Sequence, residues 1–285
     1  MVYLIFGAKS GTMKILFVTT DFSTASHNAL EYAIKMAQAF SAQIILFHAY
    51  QVQVLTGVDT TVLVPEEDTR TAVEDRLKLH LLSVQPSNVN IRLLHAAGTA
   101  ASTILQTAIE QGADLIISGM KHHGKALRQF FGSTVTELAK HTKLPLLVVP
   151  EEANYQPPHK IALASDIAPE TEHVLDALAT IGERFHSKVY VVRVIRDRFD
   201  EVYELLRHPA RLQALPPSLD TQYAYTQNKN VTEALQFYIH AEGIQLLAMV
   251  PHKHTLLEKW FFKSNTKAMI FKSPVPLLIL PENTE

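Results

Sequence analysis

The stretch Gly119-Met-Lys-His-His-Gly124-Lys-Ala-Leu-Arg-Gln-Phe-Phe-Gly132-Ser133-Thr134 carries the residue types best suited to holding a phosphate. Backbone that must approach a phosphate closely favours glycine, because no Cβ stands in the way. Lys121, Lys125 and Arg128 add positive charge to the same loop. Ser133 and Thr134 then open a predicted helix, with Thr134 and Glu137 at the spacing of a capping box. A helix N-terminus offers unpaired N–H groups and a positive dipole end, which together attract anions. On spacing alone a second reading stays open: a glycine-containing loop followed by an ordinary helix cap.

Asp21, Phe22 and Ser23 follow the first apolar run. Ser23 fits the cap of a helix beginning near Ala25. Asp21 is either a favourable acid at that helix start or an acceptor for a ligand's N–H or hydroxyl. The 14 histidines include two pairs at corresponding places, His122/His123 and His252/His254. Paired imidazoles can ligate zinc, but Lys253 sits inside one pair and no nearby Asp, Glu or Cys completes a set, so hydrogen-bonded loop histidines are expected. Trp260, Phe261 and Phe262, like Phe130 and Phe131, read as packing or interface residues, because no basic field accompanies them. The fragment Gly7-Ala-Lys9-Ser10 lacks the glycine spacing of a phosphate-binding P-loop.

The elements that position these residues are laid out twice. Lys14-Ile-Leu-Phe-Val-Thr-Thr-Asp21 resembles Lys160-Ile-Ala-Leu-Ala-Ser-Asp166, and Leu144-Pro-Leu-Leu-Val-Val-Pro150 mirrors Val275-Pro-Leu-Leu-Ile-Leu-Pro281. Ser133/Ser264 and His123/His254 keep the constant offset of the second match. Between these ends the apolar spacing predicts strands at Gln43–His48, Asn90–His95, Leu115–Ser118 and Leu146–Val149, with helices near Ala101–Gln111 and Thr134–His141. The second copy predicts strands at Lys188–Arg193, Thr221–Tyr225, Leu246–Met249 and Leu277–Leu280. Long excursions after each second strand contain amphipathic stretches at Glu66–Leu82 and Val202–Leu215. Near-continuous apolar strands alternating with helices specify parallel sheets covered on both faces, here two tandem doubly wound α/β domains of five strands each. The expected boundaries are a leader or cloning remnant at 1–12, a first domain at 13–151, a linker at 152–158 among Pro150, Pro157 and Pro158, and a second domain at 159–285.

Composition narrows the function. With 47% apolar and 19% charged residues among 285, the chain is neither disordered nor fibrous. It has no cysteine, which removes thiolate chemistry and disulfides and fits a cytoplasmic location. A net charge of −2 gives no field for nucleic acid or an anionic membrane. No run approaches the ~18 apolar residues of a membrane span. No Ser/His/Asp order, carboxylate pair or metal triad points to catalysis. Glycine is scarce and lopsided, with eight of the 10 before residue 133.

An Asp after the first strand followed by a late Gly-x2-Gly-x9-Gly-Ser/Thr loop resembles the universal stress protein family, as do Thr20-Asp-Phe-Ser23 and the Leu-Pro-Leu-Leu-Val-Val ending. The resemblance runs from residue 14 through nearly the whole chain, as a tandem two-domain member. It implies the adenine nucleotide alpha hydrolase-like fold, strand order 3-2-1-4-5, and a pseudo-two-fold arrangement of the halves through their last strands. It further implies ATP with Mg at the first half. Asp21 meets the adenine or ribose, Ala49 lines the base pocket, and Gly119, Gly132, Ser133 and Thr134 hold ribose and phosphates. The family's middle glycine falls at position 122, where His122 stands, and Gly124 comes two residues later. The loop therefore contacts phosphate through His122, shifts to use Gly124, or has lost the ligand. The second half keeps Asp166, but Val250, Lys253 and Lys263 replace the loop glycines, which makes it a degenerate site. The implied role is a cytoplasmic stress-response sensor or adaptor that binds an adenine nucleotide and protein partners, with hydrolysis slow at most. The rival is an interaction module without nucleotide. Whether two chains associate further stays open.

Overall fold

The structure is a computed structural model and describes residues 12–51, 54–56, 61–63, 66–84, 88–121, 133–164, 172–196, 219–251 and 267–281. The first unit begins with strand β1 (Ile15–Thr19), helix α1 (Thr24–Phe40) and strand β2 (Gln43–Tyr50). Two short antiparallel strands, β3 (Val54–Thr56) and β4 (Thr61–Leu63), precede helix α2 (Glu66–Leu82). Strand β5 (Ile91–Ala97), helix α3 (Ala100–Glu110), strand β6 (Leu115–Met120), helix α4 (Ser133–His141) and strand β7 (Leu146–Pro150) complete it. The second unit runs from β8 (Lys160–Ala164) through a 3-10 turn at Glu172–Leu175 to α5 (Asp176–Phe185) and β9 (Lys188–Ile195). It continues with β10 (Asp220–Gln227), α6 (Val231–Glu242), β11 (Leu246–Met249), α7 (Lys267–Lys272) and β12 (Leu277–Ile279).

One ten-stranded sheet carries both units, in the order β10-β9-β8-β11-β12-β7-β6-β1-β2-β5. Each half therefore has the strand order 3-2-1-4-5 that the resemblance implied. Neighbours within each half are parallel, and only the seam between β12 and β7 is antiparallel. At the seam Leu147 lies opposite Leu278, its own counterpart in the repeat, so a pseudo-two-fold axis passes between them.

Side chains alternate faces along a strand, and here both faces are covered. Leu16, Val18, Leu147, Leu163 and Leu278 join one core with α1 and α5, while Phe17, Ile116, Val148, Leu247 and Ile279 join another with α3, α4, α6 and α7. Both cores run unbroken across the seam. Helix α1 forms because Ala25, Ala29, Ala33 and Ala37 recur every four residues and let it lie close on the sheet. Ser23 caps it by accepting from the Ser26 N–H, and Ser41 ends it in the left-handed region. Asn230 and Gly243 do the same for α6.

Asn28 of α1 donates through Nδ2 to the carbonyls of Pro150 (2.8 Å) and Ala153 (3.0 Å), fixing the chain as it leaves the first unit. Tyr32 packs edge-on against Tyr155 at 4.9 Å, and Phe40 against Phe185 at 5.7 Å. Thus α1 touches both the connection between the units and the second unit itself.

The strands and helices expected from spacing are present with ends shifted by a residue or two, whereas β3 and β4 were not anticipated. The expected helix at Val202–Leu215 and the leader residues 1–11 lie outside the described residues. Thr134 stands inside α4, whose first residue is Ser133, and Glu137 turns to Lys140 and His141, so the predicted capping box does not form.

Candidate functional site

Strands β1 and β6 are adjacent, while the chain from β1 crosses to β2 on one side and from β6 to β7 on the other. Ligands in open α/β sheets sit beyond the carboxyl ends of strands at this reversal of order. A cavity of about 200 Å³ opens there. Its walls are the ends of β1 and β2 (Thr19, Thr20, Asp21, His48, Ala49), the end of β6 (Ser118, Gly119, Met120, Lys121) and the first turns of α1, α3 and α4 (Ser23, Ala25, Ser26, Ala100, Ile104, Thr134, Val135). Asp21, Ala49, Gly119 and Thr134, named from sequence, thus come together around one space. Ser133 is the first residue of α4. His122, Gly124 and Gly132 lie outside the described residues, as do His123, Lys125, Arg128, Phe130 and Phe131. So do Asp166, His252, Lys253, His254, Trp260, Phe261, Phe262 and Lys263 of the second half. Among the described residues no group of three or more His, Cys, Asp or Glu could hold a metal ion.

The cavity's polar groups are locked by neighbours. Thr19 donates from Oγ1 to Ser118 Oγ at 2.9 Å, tying β1 to β6 beneath the cavity floor. Asp21 Oδ1 accepts from the Ser23 N–H at 3.0 Å. Burial works against the Asp21 charge, but hydrogen bonds from the Ser23 side chain and backbone, from Ser26 and from its own backbone outweigh it and hold the carboxyl below its ordinary pKa. Asp21 is therefore both a charged partner of the α1 start and a wall of the cavity, so the two sequence readings of it coexist. His48 donates from Nδ1 to the Thr20 carbonyl at 2.7 Å, because a carbonyl can only accept. Burial keeps its ring below the ordinary histidine pKa, and the neutral form then carries its lone pair on Nε2. Lys121 adds a positive charge at the rim, and the N-termini of α1 and α4 both bear on the space, which suits an anionic ligand.

Gly119 plays a part that spacing did not foretell. A Cβ added there would overlap the Ala25 carbonyl and stand 2.7 Å from the Ser26 nitrogen. The missing side chain makes room for helix α1 and lets its capped end reach the cavity that Gly119 also lines. The second half shows the converse. Met249 lies beside Ala164 as Ser118 lies beside Thr19, which puts Val250 in the place of Gly119.

Sequence reasoning passed over Thr19, Thr20, His48 and Ser118. They lie within two residues of a strand's carboxyl end, the only signal available. It also passed over Phe22, which holds φ at +65°, in a region that costs a bulky residue about 1–3 kcal/mol. The Phe22 ring is clamped between His48 (centroids 4.4 Å apart) and the Arg76 guanidinium of α2 (4.2 Å).

Residues 12–150 match the model of the universal stress protein family. No curated protein matches the chain. Among solved structures, a universal stress protein from Archaeoglobus fulgidus DSM 4304 covers 94% of this chain and 96% of its own at 13% identity, with a TM-score of 0.69. A functionally unknown protein from Pseudomonas aeruginosa PAO1 covers 95% and 93% at 13% identity, with a TM-score of 0.61. These likenesses span both units and concern the fold. Residues 12–150 thus belong to the universal stress protein family, and the second unit repeats the same five-stranded order.

Proposed function

We propose that the chain is a cytoplasmic stress-response sensor or adaptor whose first unit binds an adenine nucleotide, ATP with Mg in the first instance, at the cavity between β1 and β6. The observation that carries this reading is the convergence of Asp21, Ala49, Lys121 and the α4 start on one space at the reversal of strand order. About 200 Å³ falls below the ~300–1,000 Å³ of a whole small-molecule cleft. The described walls thus suit the nucleoside end, and the phosphates would extend past Gly119 and Thr134 toward residues 122–132. Asp21 and neutral His48 offer acceptors for an amine or ribose hydroxyl. With no nucleophile–base pair among the cavity residues, turnover of the bound nucleotide is at most slow. No described helix is long and apolar enough to cross a membrane.

Calorimetric titration of ATP with Mg into the wild type and into Gly132→Lys, which imports the residue of the second half, tests the reading. Micromolar binding that the variant loses supports it, and no heat with the wild type refutes it. In that event the second reading stands: an interaction module without nucleotide, favoured by His122 at the family's glycine position and by Val250, Lys253 and Lys263 in the other half. Elemental analysis of untagged protein settles zinc.

A further inference from the structure

Behind His48, which lines the site, stands a packed group of rings that holding a nucleotide does not require. Around Phe22 gather His48 from β2, Arg76 and His80 from α2, and, one ring further out, His27 from α1. His80 meets Phe22 edge-on at 5.8 Å and His27 at 5.6 Å, and its Nε2 lies 3.4 Å from Thr20 Oγ1. His27 Nδ1 in turn lies 3.3 Å from the hydroxyl of Ser83, just past the end of α2. Within α2 the buried side chains are Val73, Leu77 and His80, while Leu79 and Leu82 are exposed. The helix is thus held onto the first unit by Val73 and Leu77, by the partly buried Leu81, by the Glu74 contact to His95 of β5 and by this cluster. The cluster grips the Asp21–Phe22–Ser23 turn, whose left-handed Phe22 needs an external hold to persist.

We propose that α2 is an acid-released latch, closed on the Asp21 turn while His48 and His80 are neutral and driven off when both take up protons. The charges facing these rings are unbalanced. His80 sees His27 from α1 and the Asp21 carboxylate from the turn. His48 sees Arg76 from α2, Asp21 from the turn and His95 from β5. Glu31 is engaged with His27 at 3.7 Å and Glu74 with His95 at 3.2 Å, which leaves Asp21 as the carboxylate facing Phe22's neighbours among the described residues. A cation on His48 of β2 therefore repels Arg76 of α2, and a cation on His80, itself on α2, faces His27 of α1.

The direction of the pH effect follows from the same contacts. Burial first, then His27, holds His80 below the ordinary histidine value, and burial first, with Arg76 and His95 adding to it, holds His48 below it. A histidine depressed in the folded state contributes stability that is full above its unfolded pKa and is lost as pH falls through the folded value. The latch accordingly opens below about pH 6.5. Release loosens the turn that bears Asp21, and weaker ligand holding then follows; that consequence rests on the nucleotide reading above, whereas the latch itself does not.

Amide hydrogen–deuterium exchange on the full chain near pH 7.5 and near pH 5.5, corrected for intrinsic rates, tests it. Exchange over residues 66–84 and 20–26 is expected to quicken at least about tenfold in acid while α3 and β7 keep their protection. In the double variant His48→Gln, His80→Gln, which keeps hydrogen-bonding groups without a titrating ring, the acceleration disappears. An unchanged wild type, a uniform acceleration along the chain, or the same acceleration in the variant overturns the proposal. Should the variant not fold, ring signals of the wild-type histidines followed by NMR decide instead. Two rings titrating below the ordinary value in step with the exchange support the latch, and all rings titrating at the ordinary value refute it. ATP titrated at both pH values separates the two ideas, since absence of binding at either pH removes the nucleotide reading and leaves the exchange result intact.

Discussion

Gly119 of β6 and Ala25 of α1 meet backbone to backbone, with no room for a single carbon between them. Gly119→Ala forces the start of α1 outward and is expected to lower stability by about 1–3 kcal/mol, the usual cost of overpacking. Gly119→Val, which installs the residue found at position 250, costs more. Urea unfolding measures both, and an alanine variant with the wild-type midpoint refutes the contact.

Phe22 allows backbone and ring to be tested separately. Phe22→Ala keeps the Cβ penalty and loses the packing on His48 and Arg76, whereas Phe22→Gly loses the packing but relieves the backbone. Glycine at a left-handed position is favoured over alanine by about 1–2 kcal/mol. Phe22→Gly should therefore be more stable than Phe22→Ala by that amount. The opposite order in thermal or urea unfolding means that the turn is not left-handed.

Asp21 carries a pH signature of its own. Its carboxyl is held below the ordinary value by hydrogen bonds that outweigh burial, so its contribution is full above about pH 4 and lost as pH falls through the folded value. Asp21→Asn is expected to be less stable than wild type at neutral pH, with the gap closing in acid. A gap that stays constant down to about pH 2 excludes a stabilising carboxylate.

Asn28 bridges two carbonyls of the segment between the units. Asn28→Ala leaves them without this donor, at about 1–3 kcal/mol. Asn28→Asp costs more, because a carboxylate then faces two carbonyl oxygens. Limited proteolysis between residues 150 and 159 should quicken in that order, and equal cleavage in all three proteins refutes the role.

The strand and helix positions were legible because buried parallel strands read as continuous apolar runs and the repeat supplied each reading twice, whereas the strand order came from the resemblance alone. Val54–Thr56 and Thr61–Leu63 escaped because three residues on either side of Gly-Val-Asp-Thr leave no period to detect. Asp21 was legible from its place after a strand. Gly119 was visible, but its close approach to Ala25 was not, since a sequence shows that a backbone can be approached closely and not by what. The grip of α2 on Phe22 was invisible: Arg76 and His80 lie in a stretch that reads only as an amphipathic helix, and only tertiary packing brings them to the turn.

The antiparallel meeting of Leu147 with Leu278 makes the middle of the sheet self-complementary, since each side of the seam is a copy of the other. A lone first unit would present the Leu146–Pro150 edge bare, and the surface that fits it is another such edge. Covalent duplication turns what would be a concentration-dependent association into a permanent one. It also frees the copies from having to match away from the seam. One copy can then exchange its glycines for valine and lysine while the other keeps them, and the pair still closes on the same four leucines, one valine and one isoleucine.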